Sequence, residues 1–256
     1  MRQNLFLLRE LVKRDFRGRY AGSLLGFFWS FLQPLWLLAL FTFVFSTVMK
    51  VAPTGTRTGH FGTFLFCGLL PWMALQEGVL RGSTAITDNA GLVKKLRFPA
   101  EILVVAVALA ALLHEAIATL LFVGVLAGLG ELSWRGLPLL LLAVPLQLAL
   151  TLGLAWLLSA VHVFFRDTAQ LIGMVLTGWF YFTPIVYPLE LVPQRFRDWI
   201  GLNPLTPLVG LYRQAFLDGA AVGAGSVAGL ALFTLLLAGA GLLFFRRMKP
   251  AFVDEI

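Results

Sequence analysis

Charge is scarce in this chain. Only 13% of its 256 residues are Asp, Glu, Lys or Arg, against 59% that are hydrophobic. The mean hydropathy is +0.87, a value at which a water-soluble surface could not be built. Cysteine is nearly absent. Cys67 is the only one, so the chain by itself makes no disulfide, cysteine zinc site or iron–sulfur cluster, and Cys67 reads as a small buried hydrophobe. Three scattered histidines give no support for a metal centre. No Gly-rich loop ends in Gly-Lys-Ser/Thr, so nothing here is of the kind that cradles a nucleotide's phosphates. The carboxylates Glu131, Glu190, Asp198 and Asp218 lack the pairing that glycosyl transfer or hydrolysis would need. No signal peptide is evident, because residues 1–20 carry six basic side chains and their apolar positions are interrupted every two or three residues rather than forming an h-region. The first apolar run is therefore expected to double as the targeting signal.

What fills the chain instead is a series of long apolar runs, at residues 31–49, 61–80, 102–129, 137–165, 171–187 and 227–245. A helix needs roughly 20 mostly apolar residues to cross a hydrocarbon core of about 30 Å. The runs predict an all-α integral membrane protein of six transmembrane helices. The third and fourth runs reach 28 and 29 residues, longer than a span requires, so they are expected to tilt or to project beyond the headgroups.

The net charge of +7 points to membrane topology rather than nucleic acid. With the N-terminus inside, 14 of the 20 basic residues fall in cytoplasmic pieces: Arg2, Arg9, Lys13, Arg14, Arg17 and Arg19, then Arg81, Lys94, Lys95 and Arg97, then Arg166, and finally Arg246, Arg247 and Lys249. The outer pieces keep Lys50, Arg57, Arg135, Arg195, Arg197 and Arg213. This is the positive-inside pattern, and it places both termini in the cytoplasm of a multi-pass protein of the cytoplasmic (inner) membrane.

Three segments outside the runs have a pattern of their own. Within residues 1–30, Leu5, Leu8, Val12 and Phe16 share one helical stripe while Lys13, Arg14 and Arg17 point away, which predicts a helix lying in the cytoplasmic interface. Gly22, Gly26 and Pro34 offer bends into the first span. Residues 82–100 predict an inner loop containing a short amphipathic helix, capped by Asp88 or Asn89. The loop reads either as a positive-inside anchor or as a docking element for a cytosolic partner. Residues 189–219 are too apolar for a free loop, yet Pro188, Pro193, Pro204 and Pro207 break them up. Short helices re-entering the outer leaflet are expected, forming an outer gate, since irregular backbone at membrane depth is tolerated only where it is buried or lines a watery cavity.

The motifs within this frame resemble those of a known family. Phe164-Phe165-Arg166-Asp167, Trp179 through Pro188, Leu202-Asn203-Pro204-Leu205-Thr206-Pro207 and Tyr212-Arg213 are similar to the permease subunit of ABC-2 type polysaccharide exporters. Lys13-Arg14-Asp15, Arg19-Tyr20, Gly22 to Gly26 running into Trp29, and Leu96-Arg97-Phe98-Pro99 add to the resemblance, which covers essentially all of residues 1–256 as a single transmembrane domain. It implies a homodimer of six-span subunits docked on two copies of a separate cytosolic ABC ATPase, which binds ATP and Mg. The exported substrate it implies is a lipid-linked polysaccharide: an O-antigen, a capsular polysaccharide or a teichoic acid. It maps coupling to the ATPase onto Arg14, Asp15, Arg17, Arg19 and Tyr20 and onto Lys94, Lys95, Arg97 and Phe98. The outer-gate residues carried by the motifs are Pro184, Pro188, Asn203, Pro204, Tyr212 and Arg213.

Aromatic rings bind the C–H faces of sugars without demanding a fixed hydrogen-bond pattern, so a sliding polymer suits an aromatic path. Trp29, Trp36 and Phe43 recur every seven residues on one face of the first span, with Phe27, Phe31, Phe41 and Phe45 opposite. Trp179, Tyr181 and Tyr187 stand beside the broken outer segment. These six are the channel candidates, with lipid contact or packing as the plainer role for any single ring. His114 and Glu115 sit mid-span, where ionisable groups are costly; proton coupling or a helix-to-helix polar contact are their two readings. Glu77 and Arg81 stand one turn apart, as do His162 and Arg166. A proton-coupled secondary transporter and a membrane enzyme of polysaccharide assembly are the alternatives from other classes.

Overall fold

Inside hydrocarbon each backbone N–H and C=O must be met within its own segment, so long apolar runs fold as helices. A computed structural model describes residues 2–18, 28–50, 60–95 and 99–256, with only the backbone at Arg2, Gln3, Arg17 and Lys95. Among the described residues every regular element is helical. Helix α1 is Arg2–Gly18. Helix α2, Trp29–Phe41, continues into a π-helical stretch, Thr42–Val48. Next come α3, Phe61–Thr84, α4, Ala90–Lys95, α5, Glu101–Leu129, and α6, Leu140–Phe164. The chain ends with α7, Thr168–Phe182, α8, Gln194–Gly201, α9, Leu205–Leu217, α10, Ala224–Met248, and α11, Phe252–Glu255.

Among the described residues five helices are long and apolar enough to cross a membrane: Trp29–Val48, Phe61–Thr84, Glu101–Leu129, Leu137–Phe164 and Ala224–Glu255. The run expected at 171–187 differs. Its helix begins earlier, at Thr168, and ends at Phe182 after 15 residues, giving a length of about 22 Å. The cause of the stop is local. Pro184 disfavours helix at the residue before it, and Thr183 is extended, with φ −100° and ψ 134°.

Helix α3 is the hub, with most of its residues buried, packed against α2, α5, α6, α7 and α9. Helices α6 and α10 make the most extensive helix–helix contact, and glycine permits it. A Cβ added at Gly153 would stand 2.8 Å from the Ala238 nitrogen, and one at Gly241 would collide with the Gly153 carbonyl. Small residues that let backbones approach are how membrane helices gain packing contact without a hydrophobic driving force.

The bundle has two distinct ends. At one, Leu11 of α1, Ile86, Val104, Phe245 and Phe252 form an apolar cluster, and Glu101 pairs with Lys249 at 3.0 Å and Arg246 at 3.3 Å. The N-terminal helix and the C-terminus therefore share an end. At the other, His60 meets Glu131 at 2.9 Å, and the Ser133 hydroxyl donates to Asp218.

Two expectations about the segments shift. The stripe on α1 is rotated: Leu11 is buried and Leu7, Leu8 and Val12 are packed, while Leu5 is 63% exposed. The reason is that α1 packs along α5 and so has a protein-facing side as well as an outer one. In the 82–100 loop, α3 extends through Thr84. Asp88 accepts from the Thr84 hydroxyl at 2.7 Å, and the Asn89 amide donates to the Ala85 carbonyl at 2.9 Å, so both side chains turn back towards α3. The 189–219 stretch divides at its prolines into a 3-10 turn, Leu189–Leu191, followed by α8 and α9.

Candidate functional site

The two segments expected to couple to an ATPase meet. The Arg14 guanidinium on α1 donates to Asn89 Oδ1 at 2.7 Å. At the next residue of α1, Asp15 receives a fork from Arg81 at 2.6 and 3.0 Å, and Arg81 also donates to Glu77 at 3.2 Å. Paired, parallel N–H···O bonds of this kind fix orientation as well as adding energy, so Asp15 ties α1 to the end of α3. His114 stands 3.5 Å from Glu77, extending the cluster to α5. Lys94 is exposed on α4. Arg19, Tyr20, Arg97 and Phe98 lie outside the described residues, as do the side chains of Arg17 and Lys95.

The two aromatic faces of the first span part company. Trp29, Trp36 and Phe43 are 42%, 67% and 59% exposed, forming an open apolar face. Opposite them Phe45 packs against Phe41 with ring centroids 6.2 Å apart and against Phe61 at 5.4 Å. Phe31 is partly buried, and Phe27 lies outside the described residues.

At the far end, Trp179, Tyr181 and Tyr187 line one open concavity of about 890 Å³ with Phe196, Trp199 and Asn203. Asn203 organises its wall. Its Oδ1 accepts from Trp179 Nε1 at 2.9 Å and from the Leu205 N–H at 3.0 Å, while its amide donates to Thr183 Oγ1 at 2.9 Å and to the Phe182 carbonyl at 3.3 Å. The Tyr187 hydroxyl donates to the Tyr181 carbonyl at 2.9 Å, and Trp179 sits edge-on to Trp72. Pro204 lines the same concavity, whereas Pro184 and Pro188 line a neighbouring cavity together with Arg213.

Tyr212 sits elsewhere, inside the bundle. Its hydroxyl oxygen is 2.6 Å from Glu115 Oε1 and 2.6 Å from Gln147 Oε1, and Gln147 Nε2 is 2.6 Å from Glu115 Oε2 and 3.3 Å from the Pro71 carbonyl. This buried ring joins α5, α6 and α9, and it gives Glu115 the helix-to-helix contact that was one of its two sequence readings. Gln147 went unnoticed in the sequence, although an amide inside an apolar run carries the same signal that singled out Glu115.

Comparison with known proteins follows the whole chain. The family described as ABC-2 type transporter matches residues 7–217. The chain is 31% identical over 252 residues to the O-antigen export system permease protein RfbA of Myxococcus xanthus, spanning 98% of this chain and 95% of that protein. A protein of the same description from Klebsiella pneumoniae is 28% identical over 254 residues, with coverage of 97% and 94%. The polysialic acid transport protein KpsM of Escherichia coli is 25% identical over 253 residues, with coverage of 97% and 95%.

Proposed function

Because this chain belongs to the ABC-2 type transporter family, we propose that it is the channel-forming permease subunit of an ATP-driven exporter of lipid-linked polysaccharide in the cytoplasmic membrane. The observation that carries this reading is the 31% identity over 98% of the chain to an O-antigen export permease. The substrate class follows from the relatives' names. They divide between O-antigen and polysialic acid, and O-antigen is favoured because the identity is higher there.

In this proposal the permease works as a homodimer on two ATPase copies, which bind ATP and Mg. The chain spans the membrane six times, with the short α7 as the fifth crossing and the turn at Thr183 to Pro188 completing it. The end holding α1, Arg81, Lys94 and Arg246 faces the cytoplasm, in keeping with the positive-inside rule. The Arg14–Asn89 and Asp15–Arg81 contacts support a coupling role for that end, because they join the two segments that would receive the ATPase into one rigid unit. The open face of Trp29, Trp36 and Phe43 and the concavity around Trp179, Tyr181 and Tyr187 would carry the glycan by stacking against sugar C–H faces. Residues 189–219, held at Asn203 and Tyr212, would form the outer gate.

The test is transport in sealed vesicles. Reconstituted with its ATPase, the permease should move lipid-linked glycan only with hydrolysable ATP. Transport without the ATPase, driven by a proton gradient, would establish a secondary transporter instead, and turnover of the glycan by the permease alone would establish an enzyme.

A further inference from the structure

Next to the aromatic concavity lies a second, smaller cavity of about 280 Å³, lined by Phe64, Glu190, Thr206, Arg213, Gly219 and Ser226 among others. Its unusual wall is Arg213. A guanidinium keeps its charge and offers five N–H donors. Here Nη2 donates to the Ile185 carbonyl at 2.8 Å and the guanidinium carbon lies 3.7 Å from the centre of the Phe64 ring. Nε is sealed from solvent with no acceptor. Among the described residues Arg213 takes part in no ion pair. A cation largely removed from water without a paired counter-charge is disfavoured, and the acid that acts on Arg213 here is Glu190, from the rim and without direct contact, so the site favours a further negative group.

The surroundings leave room for that. Much of the lining is built from small residues, Gly210, Ala220, Ala221 and Gly223 among them. Thr206 and Ser226 add hydroxyls to the lining. Glu190 is the one acidic group in the lining; it is exposed. The Arg197 guanidinium donates to the Glu190 and Val192 carbonyls at 2.7 and 2.8 Å, bringing a second cation to the same turn.

We propose that this cavity is an oxyanion site in which Arg213 receives a single carboxylate or phosphate group. Only the source of that group rests on the transport reading. An acidic sugar or a phosphate on the exported chain would supply it during passage, and an outer-leaflet phospholipid headgroup carries the same chemistry. Glu190 at the rim opposes binding and sets a threshold, so that a passing anionic unit is held weakly and released.

The experiment uses the permease with its ATPase in nanodiscs of phosphatidylcholine, titrated at constant ionic strength with glucuronate, inorganic phosphate and, as a neutral control, glucose. The readout is the unfolding midpoint of the permease. Glucuronate or phosphate should raise it saturably and glucose should not. Arg213→Gln should weaken the apparent affinity roughly tenfold or more, the loss expected for a charge-assisted hydrogen bond. Ser226→Phe, on an exposed position, should block the cavity with Arg213 in place, and Glu190→Gln should tighten binding. If Arg213→Gln fails to assemble, the latter two variants decide. A rise seen only when phosphatidylglycerol replaces phosphatidylcholine, and lost in Ser226→Phe, supports the site with lipid as its source. No saturable rise under any condition, or one that Arg213→Gln and Ser226→Phe both retain, overturns the proposal.

Discussion

Tyr212 and Glu115, 97 positions apart in the chain, touch at 2.6 Å through the phenol oxygen and the carboxyl. Their ring with Gln147 has three contacts of 2.6 Å, and each needs a hydrogen. The phenol supplies one and the amide another, so the third belongs to the Glu115 carboxyl. Reversing the amide of Gln147 leaves the same count. A protonated Glu115 would close the ring, donating to Tyr212 while Tyr212 donates to Gln147 and Gln147 back to Glu115.

That count makes a prediction with a sharp contrast. Glu115→Gln keeps a donor and an acceptor in place and should leave stability nearly unchanged. Tyr212→Phe removes a hydroxyl from a sealed site and should cost about 1 kcal/mol or more. Denaturation of the purified permease measures both; equal damage from the two would mean that Glu115 is an acceptor only.

Asp15 and Arg81 carry the second prediction. If their fork fixes α1 on α3, then Asp15→Asn and Arg81→Gln should each loosen attachment of the ATPase and lower transport per ATP hydrolysed, and the double variant should be no worse than either single one. The coupling between them should be on the order of 1 kcal/mol, because Arg81 is partly exposed and screening limits such pairs. Additive losses in a double-mutant cycle would show that the two residues act separately.

Asn203 is the third. It bonds Trp179, Thr183 and Leu205 at once, so Asn203→Ala should release the 189–219 segment. With Cys67 replaced, a cysteine at Val192, which is buried in the wild-type structure, should react with a polar thiol reagent several times faster in the Asn203→Ala background. An unchanged rate would show that the prolines alone hold the segment.

Much of this was legible in the sequence because helix length and charge asymmetry are one-dimensional signals. The five long spans fall on the apolar runs, the proline breaks fall where the outer stretch divides, and Glu77 and Arg81 pair one turn apart as their spacing requires. The short α7 was less legible, since hydropathy continues through Ile185 and Val186 while Pro184 halts the helix. Contacts between distant segments were not legible at all. That Asp15 meets Arg81, that Arg14 meets Asn89, and that Tyr212 points into the bundle rather than along an outer path all depend on how α1 and α9 dock, which no local pattern encodes. Which aromatic face of the first span stays open was equally hidden, because Trp36 and Phe45 are alike in hydropathy and differ only in what packs on them.

The central claim, that glycan travels along the open aromatic face, is tested most directly by photo-crosslinking. A photoreactive residue placed at Trp36, at Tyr181 or at Phe45 in the assembled exporter is illuminated during ATP-driven transport. Glycan should be captured at Trp36 and Tyr181 in amounts that rise with hydrolysis, and not at Phe45, which packs against Phe61. Capture of phospholipid alone at Trp36 and Tyr181, with glycan at neither, would contradict the account.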